Sequence, residues 1–225
     1  MDQYFFGSVL KYITHYLLPG SPDENLEICW GLIQAGYRGE RGGRFGNLRV
    51  AMYDKDGEFP RLKGKAGEIR HFGKALLYAF ENLMDHESQL HRQIRLGLQY
   101  STEIEMIVDE HPDDFRLPPD AANRLNTKIA NLLTIQTALG RRFMDEGDLM
   151  FHTTIKSHYL LHIGMNSSQL NPRMSWCYSG EDLMQKVKHL IQGCQRGTPP
   201  QKIVSKVMEK YVFGLAYSIF GNVWR

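Results

Sequence analysis

Between Tyr37 and Lys65 the chain carries six glycines, at positions 39, 42, 43, 46, 57 and 64, and on either side of that stretch apolar residues recur every three or four positions. Spacing of that kind puts the apolar side chains on one face of a helix, whereas repeated glycine removes helical preference. Phe5, Phe6, Val9, Leu10, Ile13 and Leu17 predict a first helix over about 3–18, stopped by Pro19-Gly20. Ser21-Pro22-Asp23-Glu24 combines an N-cap serine, a proline at the first helical position and a glutamate placed for a capping box. The helix it starts runs through Leu26, Ile28, Cys29, Leu32 and Ile33 to Gly36.

Within 37–65, Leu48, Val50 and Met52 alternate as a short strand does, and Asp54-Lys55-Asp56-Gly57 reads as a turn, so the segment is a Gly-rich loop or small hairpin. Helical periodicity returns over 66–85, 88–110, 121–143, 149–165, 181–195 and from about 199 to 220. His111-Pro112 ends one of these helices, because a residue before proline is driven out of the α region. Ser179 or Gly180 is placed to cap the helix that begins with Glu181 and Asp182. The expected fold is mainly α, a multi-helix bundle forming one domain over 1–225, with a sub-boundary near 37–65.

A chain of 225 residues with 42% hydrophobic composition can fill a continuous core, which argues against disorder. Three cysteines, Cys29, Cys177 and Cys194, leave one unpaired in any disulfide scheme, and the simpler reading is a reducing compartment. The start of the chain lacks a basic n-region and an uninterrupted apolar stretch, and no run approaches a membrane span. The expectation is an intracellular protein of nucleus or cytoplasm with no membrane partner.

Net charge is only +2, yet charge is unevenly distributed. Arg38 to Lys74 holds ten Lys or Arg against five acids, and Ser101 to Asp120 holds seven acids against Arg116 alone. Arg38, Arg41, Arg44, Lys63, Lys65 and Arg70 are spaced for phosphate contact, with Tyr37 and Phe45 available for base stacking. Neither a dinucleotide fingerprint nor a P-loop is present. Lys202, Lys206 and Lys210 lie four apart and form a second basic stripe, of which Lys202 and Lys206 are further candidate contacts. The acidic 103–114 surface is a candidate docking face for a basic protein partner.

His158 and His162 are also four apart, within reach of a shared ligand, and with Cys177 they make a candidate zinc set. The general-base glutamate of an H-E-x-x-H metalloprotease helix is missing. Glu181 and Asp182 are carboxylates of the kind that hold magnesium in phosphoryl transfer, although neighbours on a helix diverge, so at most one is a ligand. Zinc or magnesium are thus the candidate cofactors, and a His/Cys/Glu metal-dependent nuclease or hydrolase is the enzymatic alternative.

The segment Lys156-Ser157-His158-Tyr159-Leu160-Leu161-His162 resembles a K-x-H-x-x-x-H helix found near the carboxyl end of eukaryotic DNA-transposon transposases with an RNase H-like core. Leu62 to His71 upstream and Asn171 to Asp182 downstream are similar to the blocks that flank that helix, so the resemblance covers about the last two-thirds of the chain. It implies a helical region of a mobile-element protein that contacts DNA. In such families a DDE triad holds magnesium, and Glu181 matches the final acid. The two earlier aspartates have no counterpart here and no alternating strand pattern precedes Glu181, which implies a fragment or derivative lacking the catalytic core. The expected function is nucleic-acid binding, DNA before RNA, without catalysis by this chain alone.

Overall fold

A computed structural model describes residues 2–38, 43–175, 178–195 and 197–220, with side chains described outside 175–186 and 215–220. Among the described residues there are eight α-helices and no strand: α1 (Asp2–Tyr12), α2 (Pro22–Gly36), α3 (Ala66–Leu83), α4 (Gln89–Asp109), α5 (Pro119–Asp145), α6 (Ile155–Asn166), α7 (Tyr178–Gln195) and α8 (Pro200–Phe220). The mainly α bundle expected from periodicity is what the chain forms. It divides into two units, Met1–Ser175 and Trp176–Arg225, and the 37–65 segment lies inside the first.

In the first unit α1 is the central element. Phe5, Phe6, Val9 and Leu10 are all buried, so the helix is covered on every side. Two glycines permit the close approach this requires. A Cβ at Gly7 would lie 2.8 Å from backbone atoms of Arg61 and Leu62, and one at Gly97 would lie 2.3 Å from the Phe5 ring. A chain of ring contacts then ties the layers together, from Phe45 to Phe72 to Phe6 to Phe5 and on through Phe151 and Phe143 to Tyr12. Each such ring, fully buried, contributes about 1.5–3 kcal/mol of transfer free energy.

The first helix does not run unbroken to its stop. Residues Ile13–Leu17 form a π-helical turn. The buried Asn25 amide closes that turn, donating to the carbonyls of Thr14 (2.7 Å) and Gly20 (2.9 Å) while its oxygen accepts from Gly20 N–H. The start of α2 is as its sequence predicts: Ser21 Oγ accepts from Glu24 N–H and Glu24 Oε2 accepts from Ser21 N–H at 3.0 Å.

Further expectations change. The helix expected from Glu181 starts at Tyr178, so Ser179 and Gly180 lie within it and are not its cap. No strand forms among the described residues of 37–65; Val50–Met52 is a 3-10 turn, and Arg61 and Lys63 N–H donate to the carbonyls of Tyr53 and Met52 (both 2.8 Å), so the chain returns on itself as a loop. The helix expected from Leu149 begins only at Ile155, after Thr154 as N-cap. Residues 149–154 instead carry Met150 and Phe151 into the core, with Phe151 at φ 53° and its N–H donating to the buried Ser8 Oγ at 2.7 Å.

The long helices α3, α4 and α5 pack side by side, with α6 against α5. Their polar seams are ion-paired: Arg95 with Glu81 between α4 and α3, and Lys128 with Glu103 and Arg124 with Glu110 between α5 and α4. The second unit is a helical hairpin, α7 and α8 joined by a short turn in which Gly197 has φ 70°. Cys194 of α7 and Val207 of α8 are buried. Among the described residues no helix is long and apolar enough to cross a membrane.

Candidate functional site

The glycine-rich segment docks through its aromatic residues. Phe45 is buried against the Phe72 ring, centroids 5.2 Å apart, and its edge occupies the place where a side chain at Gly64 would stand. Gly43 lies against the backbone of Gly67 and Glu68, where a Cβ would come within 3.0–3.2 Å. Tyr37 is also buried, and the Arg44 guanidinium lies 5.8 Å from its ring centroid. Tyr37 and Phe45 are therefore core residues, and the expectation that they stack nucleic-acid bases is corrected. Burial pushes the Tyr37 hydroxyl up to about 12, and the Glu68 carboxylate adds to that rise.

That docking has an electrostatic result. Phe45 and Gly64 are in contact, and their chain neighbours Arg44, Lys63 and Lys65 all have exposed side chains. Arg38 is exposed beside Tyr37, at the end of α2. Among the described residues none of Arg38, Arg44, Lys63 and Lys65 enters an ion pair. Arg41 lies outside the described residues.

Arg70 behaves differently. Its side chain is only 15% exposed and is bound by Glu105 (Nε to Oε2, 2.7 Å) and by Asp109, which also accepts from Arg173 at 2.7 Å. Such a guanidinium is not available to phosphate, so Arg70 leaves the candidate set. Burial pushes the Glu105 carboxyl up to about 7, with the Asp2 and Asp109 carboxylates adding to the rise against the pull of Arg70.

The acidic surface is altered in the same way. Glu103, Glu105, Asp109, Glu110 and Asp114 hold Lys128, Arg70, Arg173, Arg124 and His111 respectively. The expected docking face for a basic partner is an intramolecular clamp, which joins α4 to α3, α5 and the turn Pro172–Ser175. Asn171 strengthens that corner by donating to the carbonyls of His111 (2.9 Å) and Asp114 (2.8 Å).

In the second unit Lys202, Lys206 and Lys210 are exposed on α8, and Lys206 Nζ donates to Thr198 Oγ1 at 3.0 Å. They form the predicted stripe.

His158 and His162 do meet. Their Nε2 atoms are 2.9 Å apart on the exposed side of α6, with the rings nearly perpendicular. Among the described residues no group of three or more His, Cys, Asp or Glu is placed to hold a metal ion. The side chains of Cys177 and of Glu181 and Asp182 lie outside the described residues. His152 packs, stacked 4.1 Å from the Phe59 ring.

One feature escaped the sequence altogether. An open groove of about 690 Å³ lies between α2 and the loop, walled by His15, Asp23, Glu27, Trp30, Arg49 and Asp54. The π-helical turn aims His15 at it, and Asp54 accepts from Lys11 (2.8 Å) and lies 3.2 Å from His15 Nε2. Asp23, Glu27 and Trp30 share one face of α2. The other wall comes from segments far away in the chain.

Comparison with protein-family models, with curated proteins and with solved structures finds no match.

Proposed function

We propose that the chain binds nucleic acid through the exposed cations Arg38, Arg44, Lys63 and Lys65, without catalysis of its own. The observation that supports this reading is the contact of Phe45 with Gly64, whose chain neighbours Arg44, Lys63 and Lys65 are exposed and paired to no acid among the described residues. Exposed cations without an acidic partner neutralise phosphates and release their counterions. Base stacking by Tyr37 and Phe45 is no part of this reading, because both face the core. DNA is preferred over RNA only on the likeness to transposases. Lys202 and Lys206 supply a second basic stripe from α8.

The test is fluorescence anisotropy of labelled duplex DNA and single-stranded RNA across a salt series. The full chain is expected to bind with an affinity that falls steeply as salt rises. The triple variant R44A/K63A/K65A is expected to lose about tenfold or more, and its slope of log affinity against log salt to shrink by roughly 2–3. Absence of salt-dependent binding, or a triple variant indistinguishable from wild type, ends the proposal.

A further inference from the structure

Helix α6 is held on one side and open on the other. On its inner side Gly164 lies against α5, where a Cβ would come within 3.0 Å of Ile129 Cδ1 and 3.3 Å of Asn126 Cα. At its start the Thr154 hydroxyl accepts from Lys156 N–H at 3.2 Å, and near its end Asn166 Nδ2 donates to the His162 carbonyl at 2.8 Å. The backbone that carries His158 and His162 is therefore fixed before any ligand arrives. Both imidazoles point outward, and among the described residues the hydrogen-bonding partner of each ring is the other ring.

The separation of the two nitrogens is informative. Two imidazole nitrogens each about 2.0–2.1 Å from one ion stand roughly 2.9 Å apart at neighbouring octahedral corners and roughly 3.4 Å apart at two tetrahedral corners. His158 Nε2 and His162 Nε2 are 2.9 Å apart. A small outward turn of either ring covers the whole range, so an ion can take the place of the proton the two rings share. When both rings are neutral, that hydrogen moves to the far nitrogen of its own ring and no net proton is released. The donor set also selects the ion. Imidazole suits zinc, nickel and copper, whereas magnesium and calcium require oxygen ligands, and no carboxylate joins the pair among the described residues.

We propose that His158 and His162 form a two-point chelate for a late first-row divalent ion, with the remaining coordination positions filled by water or by a ligand atom from outside the chain. This site is independent of the nucleic-acid reading, since it uses none of the same residues.

Calorimetric titration of the full chain with Ni²⁺ or Zn²⁺ tests it, alongside the copper EPR spectrum. One ion per chain is expected, with nitrogen hyperfine structure from two imidazoles in the copper form, and no uptake of Mg²⁺. H158Q and H162Q should each weaken binding by about tenfold or more, because a two-point site loses one of its coordinate bonds. H86Q, at an exposed histidine elsewhere, should leave the titration unchanged. Circular dichroism verifies that the variants keep their helix content, which exposed rings make the expected result. A double H158Q/H162Q variant that binds as tightly as wild type overturns the proposal. So does a wild-type copper spectrum without imidazole nitrogens, which needs no variant at all.

Discussion

Two stretches of this chain are alike in sequence, each a run dominated by one sign of charge, and the fold treats them in opposite ways. The acidic run from Glu103 to Asp114 lies mostly on α4, which sits between α3 and α5, and cations from both neighbours reach it. The basic run from Arg38 to Lys65 lies on a loop anchored by buried rings, and its foremost cations meet no acid among the described residues. A run of charge becomes a binding surface only where packing fails to supply the counterion. By that criterion the basic loop remains a surface and the acidic helix has become a joint.

The sharpest way to break this contrast is to remove the anchor. F45A empties a buried site between Phe72 and Gly64 and is expected to cost about 3–5 kcal/mol in urea denaturation, with nucleic-acid affinity falling as the loop lifts. Full retention of both properties would show that the loop does not depend on its ring.

Next in size is R70M. It leaves Glu105 without its guanidinium partner and removes one of the two cations on Asp109, for an expected loss of about 2–3 kcal/mol, while affinity for DNA per folded molecule stays the same. A drop in DNA affinity without loss of stability would return Arg70 to the binding surface.

The joint should also have a pH signature. Glu105 has a folded-state value raised to about 7 by burial, above its unfolded value, so its contribution to stability is fully present below about pH 4.5 and is lost as pH rises through 7. E105Q cannot ionise, so the stability of the variant relative to wild type should grow over that window, on the order of 2 kcal/mol after allowance for its partial exposure. Parallel stability curves for the two proteins would refute the shift.

The smallest effect is expected from the surface cations themselves. K63A and K65A should each change unfolding free energy by less than about 0.5 kcal/mol, since no ion pair is broken, and R44A by no more than about 1 kcal/mol, since it loses its place over the Tyr37 ring. A larger loss would mean that these side chains hold the loop in place and are not free for phosphate.

Much of the fold was legible because its signals are local. The capping box at Ser21 to Glu24, the break at Pro112 and the apolar periods of α3, α4 and α5 depend on residues three or four apart, and the observed helix ends fall within a few residues of expectation. The exceptions have tertiary causes. Residues 149–154 have helical periodicity, but Met150 and Phe151 are buried in the core and the Phe151 N–H is held by Ser8 of α1. Likewise Phe45 reads as an aromatic residue among arginines, a plausible stacking platform, until Phe72 and Gly64 are seen around it.

The candidate sites divide along the same line. The meeting of His158 with His162 follows from one turn of helix, so the sequence alone determined it. The fate of Arg70 did not follow from any local pattern, because its partners Glu105 and Asp109 are 35 and 39 positions away and arrive only when α3 and α4 pack together. Helices, caps and pairs one turn apart are properties of a short piece of chain and can be read from it. Which charges remain free to act is a property of distances across the interior, and those exist only once the bundle has closed.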